Sequence, residues 1–167
     1  EAYRRQYGRS YISAMPCNLY GSGDRYDALG SHVIPALMMR AHDSKMQHKQ
    51  SFAVWGSGRS LREFLYVDDL ADALVFLLRH YDGQRHINVG SGQEISISEL
   101  AQKIAKTVQF DGELTFDSTK PDGVMRKVMD GSRMFDAGWQ PKVSLEDGLT
   151  RAYQDFCQRV ADDGIAA

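Results

Sequence analysis

The run Trp55-Gly56-Ser57-Gly58-Arg59-Ser60-Leu61-Arg62-Glu63-Phe64-Leu65-Tyr66-Val67-Asp68-Asp69-Leu70 constrains this chain more than any other segment: a glycine-rich turn, a buried-type strand and a helix start follow in immediate succession. That succession belongs to α/β architecture, in which each helix packs back onto the sheet it leaves. The strand carries one arginine, Arg62, and a guanidinium in such a strand needs an anionic partner. Two glycines around a serine let backbone N–H groups converge on an anion, and the guanidinium adds a planar donor fork suited to phosphate. A phosphorylated small ligand fits the pattern. An ordinary loop whose arginine pairs with Asp68 or Asp69 fits it too.

The rest of the chain repeats the alternation. Residues 3–8 read as a helix end closed by Gly8, and Tyr11–Met15 as a strand stopped by Pro16. Ser31 can cap a helix from His32 to about His42, with Pro35 in the first turn, where a missing N–H costs little. The polar stretch Asp43–Gln50 reads as a loop. Strands are predicted at Ser51–Val54, Glu63–Tyr66, Arg85–Val89 and Glu113–Phe116. In Ser96–Val108, Ser96 and Glu99 form a capping box, and Ile97, Leu100, Ala101, Ile104, Ala105 and Val108 share a face. A second packing helix, Ser144–Val160, carries Leu145, Leu149, Ala152, Tyr153, Phe156, Cys157 and Val160 on one stripe.

Composition removes several classes of function. The 167 residues carry a formal charge of −2 with Lys and Arg dispersed, so no basic tract supports a nucleic-acid partner. No apolar run approaches the roughly 20 residues that cross a bilayer, which predicts no membrane partner and a cytoplasmic setting. Cys17 and Cys157 are far apart, and the five histidines lack paired spacing, so neither a disulfide framework nor a metal site is expected. Cys17 reads as a small packed side chain. His32, in the first turn of its helix, can exchange a proton near neutral pH beside the positive dipole end, or serve as a hydrogen-bonded structural residue. Arg40 follows two turns later, about 12 Å along the axis and about 80° round it, so one ligand can touch both; a solvated helix arginine is the plainer reading. Trp55 can present its flat face to a sugar or base, or simply pack.

Taken in order, Arg4-Arg5-Gln6-Tyr7-Gly8-Arg9, Met15-Pro16-Cys17-Asn18-Leu19-Tyr20-Gly21, Ser31-His32-Val33-Ile34-Pro35-Ala36-Leu37, the Trp55 run, His86-Ile87-Asn88-Val89-Gly90-Ser91-Gly92 and Lys120-Pro121-Asp122-Gly123-Val124-Met125-Arg126-Lys127 span nearly the whole chain. They resemble the motifs of the GDP-L-fucose synthase family, NADP-dependent epimerase-reductases of the extended short-chain dehydrogenase/reductase class. The resemblance implies the C-terminal edge of a Rossmann-type sheet in residues 1–30 and a smaller α/β substrate-binding lobe in residues 31–167, with elements returning to the sheet. It gives His32 the role of catalytic acid. It sets Arg40 against the diphosphate of a GDP-sugar substrate with Arg62 as a second clamp, and Trp55 beside the sugar or base. Asp122, on a rigid turn, can accept from guanine or ribose and Lys127 can meet a phosphate, or both can lie on a solvated turn. Pro16, Cys17, Asn18 and Leu19 follow the first strand at its carboxyl end, where ligands lie in open α/β sheets, so that with His32 they are candidate cofactor contacts, while Asn18 can equally hold the adjacent turn. The sequence departs from the family pattern at Ser22 and Met125, where proline is common.

That family opens with a dinucleotide-binding half containing a Gly-rich loop, a catalytic serine and a Tyr-x-x-x-Lys helix, none of which is in this sequence. The chain is therefore expected to be a C-terminal half, inert alone, with NADP(H) the cofactor of the complete enzyme rather than of these residues. An exposed apolar seam is expected where further sheet strands would pair, with a homodimer or the N-terminal Rossmann half as partner. Another nucleotide-sugar epimerase or dehydratase, or a non-catalytic nucleotide-sugar-binding or assembly module, stays open as an alternative.

Overall fold

The computed structural model describes residues 1–27 and 30–163. In chain order they form α1 (Ala2–Tyr7), β1 (Ala14–Pro16), β2 (Asn18–Tyr20), α2 (Val33–Met46), β3 (Ser51–Trp55), β4 (Leu61–Tyr66), α3 (Val67–His80), β5 (Ile87–Val89), β6 (Glu94–Ser96), α4 (Ile97–Val108), β7 (Glu113–Asp117), β8 (Arg126–Lys127), α5 (Ser132–Asp136) and α6 (Leu145–Asp163). Local chemistry sets several of the ends. Gly8 takes the left-handed conformation, and its N–H closes α1 on the Arg4 carbonyl. The Ser96–Glu99 capping box opens α4 as expected, and the Ser144 hydroxyl accepts the Asp147 N–H at the start of α6.

The strands pair mainly in parallel. β1 lies beside β5, β2 beside β4, and β3 beside β7 over five residues, while β4 also takes β8 in parallel and β6 antiparallel. β4 is the centre of this arrangement. Its side chains alternate between two cores, as strand geometry requires. Phe64 and Tyr66 enter a large core with Tyr20, Leu37, Met38, Leu100, Ile104, Leu149 and Phe156, built from α2, α4 and α6. Leu65 enters a second core with Ala73, Leu77, Ile87, Val89, Met134 and Trp139, which ties α3 and α5 to β5. Parallel strands joined through helices make this an α/β fold, with each core stabilised by about 1.5–3 kcal/mol per fully buried large apolar side chain.

Several sequence expectations need correction. The first strand begins at Ala14, not Tyr11, and runs through Pro16, which lies at its end and so removes no interior hydrogen bond. Helix α2 continues to Met46 through polar residues assigned to a loop, because Ser44 is buried and Lys45 Nζ reaches the Val108 carbonyl at 2.9 Å. Its N-cap is His32, not Ser31, whose hydroxyl is instead held by the loop before it: it accepts the Asp27 N–H and has the Arg25 and Asp27 carbonyls as alternative acceptors for its one proton. Asp69 does not pair with Arg62. It is buried, and its carboxylate accepts the N–H groups of Lys142 and Val143.

Several large apolar side chains are exposed. Met15 lies on β1, which pairs on one side with β5, and Leu74, Val75 and Leu78 lie on the outer face of α3, Leu78 with 77% of its surface exposed. At the N-terminal end the Tyr3 ring meets those of Tyr7 and Tyr11 in tilted contacts, with centroids 5.5 and 5.8 Å away.

Candidate functional site

His32 is exposed at the N-cap of α2, where its own side chain makes no capping hydrogen bond, so the imidazole is available to solvent or ligand. It shares a cavity of about 630 Å³ with Cys17, Asn18, Leu19, Gly21 and Val33. The sequence-predicted cofactor contacts Cys17, Asn18 and Leu19 are thus brought together with His32. Pro16 is not among the lining residues. Asn18 is committed by its side chain, since Nδ2 donates to the Glu63 carbonyl at 2.7 Å, and the Cys17 N–H donates to the Val89 carbonyl at 3.0 Å. Burial pushes the Cys17 thiol up to about 12, and the nearby Glu63 carboxylate adds to the effect. That thiol is protonated at neutral pH and is no nucleophile.

Val33 also lines a second, smaller cavity of about 220 Å³ with Ala36, Leu37, Arg40, Val54 and Trp55. Here Arg40 Cζ stands 4.2 Å from the Trp55 ring centroid, and one guanidinium nitrogen donates to the Ala53 carbonyl at 3.3 Å. Burial pulls the Arg40 pKa down, yet among the described residues no carboxylate forms an ion pair with it. Trp55 is 53% exposed, so much of its ring stays open to solvent. Lys120 also approaches this ring, with Nζ 5.6 Å from the centroid.

The turn between β3 and β4 binds an anion, but that anion belongs to the chain itself. Ser57 N–H donates to Asp122 Oδ1 at 2.6 Å, and Gly56 N–H donates to the Asp117 carbonyl at 2.9 Å. Gly56 has φ +81°, and a Cβ there would collide with the Asp122 carboxylate, so the approach depends on glycine. The Ser57 backbone N–H holds the Asp122 carboxyl below its ordinary range. Asp122 therefore fastens the turn, with one oxygen already taken. Ser60 Oγ adds a bond to the Asp122 carbonyl at 3.0 Å.

Arg62 and Lys127 are register partners on the parallel pair β4–β8, which sets both cations on the same face of adjacent strands. Arg62 Nη1 donates to the Leu61 carbonyl at 2.8 Å, and among the described residues neither side chain forms an ion pair. Like charges placed side by side across strands destabilise a sheet, so this pair favours an anion between them. The two loops that lack the usual proline are tethered by other means: Ser22 Oγ lies 3.3 Å from Tyr66 Oη, and the Met125 carbonyl accepts the Leu61 N–H at 2.8 Å.

Glu63 escaped the sequence reading. It is fully buried, on the face of β4 opposite Arg62, with Oε1 accepting Gly92 N–H at 2.8 Å and Oε2 accepting Met129 N–H at 2.9 Å. One carboxylate thus holds the Gly92 turn and the segment just after Lys127, while the same residue's carbonyl holds Asn18. The available signal was the alternation Leu61-Arg62-Glu63-Phe64: two successive charges in one strand must point to opposite faces, and the second then points inward.

Chemically, the assembly offers an exposed imidazole, a cavity beside it, an open indole face and several cations without carboxylate partners. Among the described residues, no group of three or more His, Cys, Asp or Glu side chains is arranged to hold a metal ion. No helix there is long and apolar enough to cross a membrane.

The chain belongs to the NAD dependent epimerase/dehydratase family, whose model matches residues 1–90. Among its relatives, it is 51% identical over 163 residues to a GDP-L-fucose synthase of Sinorhizobium fredii, covering 98% of this chain and 52% of that protein. It is 52% identical to GDP-L-fucose synthase 1 of Arabidopsis thaliana, covering 97% and 50% respectively. The fold superposes on a GDP-L-fucose synthetase from Naegleria fowleri bound to NADP with a TM-score of 0.86 and 28% identity, covering 96% of this chain and 51% of that one. The chain spans about half the length of the curated relatives it matches.

Proposed function

We propose that this chain is the nucleotide-sugar-binding half of a GDP-L-fucose synthase, which in complete form epimerises and reduces GDP-4-keto-6-deoxy-mannose to GDP-L-fucose with NADPH. The observation that carries the reading is the pairing of Arg62 with Lys127 on adjacent strands, two cations with no carboxylate between them. Such a pair suits a diphosphate, and Arg62 suits it best because a guanidinium donates two parallel hydrogen bonds. Arg40 supplies a second clamp on the diphosphate, and the open face of Trp55 extends the binding surface towards the base or sugar. Asp122 shapes the turn that carries Trp55, and its carboxylate can accept from a ribose hydroxyl.

His32 is the acid in this proposal. Inversion at a carbon beside a carbonyl needs one group to remove a proton and a second to return one from the opposite face. The exposed His32 ring, at a helix N-terminus and on a cavity wall, is placed to deliver that proton. NADPH, when bound, supplies the hydride for the reduction. Cys17, Asn18 and Leu19, which line the cavity beside His32, would hold its nicotinamide end, with Pro16 supporting them from β1. In this reading residues 1–30 are the edge of the dinucleotide-binding sheet, and residues 31–167 are the substrate lobe, with β5 returning to pair with β1. The setting in this reading is the cytoplasm.

Calorimetric titration tests the proposal. GDP and GDP-mannose bind the chain, while guanosine binds much more weakly because it lacks the diphosphate. Absence of heat with GDP at millimolar concentration overturns the reading. The chain alone, without a Tyr-x-x-x-Lys pair, oxidises no NADPH in the presence of GDP-4-keto-6-deoxy-mannose.

A further inference from the structure

We infer that Lys120 is a further diphosphate-binding residue, working with Arg40 at the Trp55 ring; the inference rests on the nucleotide-sugar reading above. Lys120 comes from the loop after β7 and Arg40 from the third turn of α2, yet both reach one indole. Their cationic groups stand 5.6 and 4.2 Å from its centroid. The two charges can be no further apart than those distances laid end to end, a separation that a diphosphate with its outer oxygens bridges.

The backbone fixes where Lys120 leaves the chain. Its N–H donates to the Asp117 carbonyl at 3.1 Å, closing the turn, and Pro121 stiffens the next step of the chain. The Asp117 carboxylate, three residues back, feels the Lys120 charge but is engaged first by Thr119, whose N–H and hydroxyl donate to Oδ1 at 3.0 and 2.5 Å, and it forms no ion pair with Lys120. Among the described residues Lys120 forms no ion pair, and neither does Arg40. Two cations converging on one half-open aromatic ring repel each other, and the ring's quadrupole offsets only part of that repulsion. A multiply charged anion beside the ring relieves it. Lys120 thereby adds a point charge to the planar forks of Arg40 and Arg62, and its flexible stem can follow either phosphate.

Trp55 reports the event directly. The other tryptophan, Trp139, is buried, and its Nε1 donates to Asp72, so its emission stays constant. GDP, GMP, inorganic pyrophosphate and guanosine are titrated into wild type, Lys120→Met and Lys120→Arg while Trp55 emission is followed. The expected result for Lys120→Met is GDP affinity down by about tenfold or more, as befits one charged hydrogen bond, with a smaller loss for GMP and none for guanosine. Lys120→Arg keeps most of the affinity. Pyrophosphate that binds as tightly as GDP and loses as much in Lys120→Met marks the site as one for free phosphates and overturns the nucleotide assignment. Equal GDP affinity in wild type and Lys120→Met overturns the role of Lys120 while leaving the nucleotide-sugar reading intact. Failure of wild type to bind GDP removes that reading and this inference with it. Lys120 is exposed, so the variants fold.

Discussion

Arg62 on β4 and Lys127 on β8 sit directly opposite one another in a parallel pair, so two cations project from one sheet face without a carboxylate partner among the described residues. Arg62 already spends Nη1 on the Leu61 carbonyl, which fixes the plane of the guanidinium and leaves the rest of the fork for a ligand. Arg62→Lys keeps the charge and loses the fork. Charged hydrogen bonds contribute roughly 1.5–3 kcal/mol, so GDP affinity is expected to fall about tenfold or more in that variant. Calorimetry checks it, and an unchanged dissociation constant in Arg62→Lys would take Arg62 out of the ligand site.

Cys17 is expected to resist alkylation. Its thiol is pushed up to about 12 by burial first and by the Glu63 carboxylate second, so the reactive thiolate is scarce at neutral pH. Iodoacetamide labelling followed by peptide mass mapping measures this. Cys17 reacts far more slowly than a free thiol at pH 7.5, and Glu63→Gln, which removes the second cause, speeds the reaction. Labelling of Cys17 at the rate of glutathione would show that burial does not protect it.

The parts of the fold that could be read from sequence are those whose cause is local. The Ser96 and Glu99 side chains close on each other's backbone within one turn, so α4 is legible without any partner, and Gly8 ends α1 for an equally local reason. β2, β6 and β8, by contrast, have three, three and two residues, and each exists because β4 lies beside it. No short window of sequence contains that cause, since strand propensity depends on cross-strand neighbours. The site follows the same division. His32 and the Cys17–Leu19 segment were found as motif residues, and the structure brings them to one cavity. The glycine-rich turn was read as a phosphate cradle, but its Ser57 N–H is taken by Asp122 from far along the chain. Glu63 lay unread because its partners, Gly92 and Met129, are equally remote.

Gly90→Ala probes the Glu63 junction. A Cβ at Gly90 would overlap Glu63 Oε1, and that carboxylate cannot swing aside without dropping the Gly92 or Met129 N–H. Overpacking of this kind costs about 1–3 kcal/mol, and a buried N–H left without a partner adds to it. The urea midpoint of Gly90→Ala is therefore expected well below that of wild type. A midpoint within experimental error of wild type would mean that the 90–92 turn yields freely and that Glu63 does not pin it.

Asp122 predicts a pH dependence confined to the Trp55 turn. The Ser57 N–H favours the ionised carboxylate, so the folded-state pKa lies below the unfolded one. A depressed acid contributes stability that is present above the unfolded pKa and is lost as pH falls through the folded one. The turn is thus expected to stay closed from neutral pH down through the ordinary aspartate range and to loosen only below it. Trp55, next to Gly56 and half exposed, reads that loosening as a change in emission, while buried Trp139 does not. Asp117, which lies opposite Trp55 in the β3–β7 pair, is also held low, through Thr119, so acid titration of wild type alone would mix two carboxylates. Asp122→Asn separates them: the amide oxygen still accepts the Ser57 N–H, but the group no longer titrates. The low-pH step in Trp55 emission should vanish in Asp122→Asn. A step of the same midpoint and size in the variant would assign it to Asp117 and leave Asp122 without a part in closing the turn.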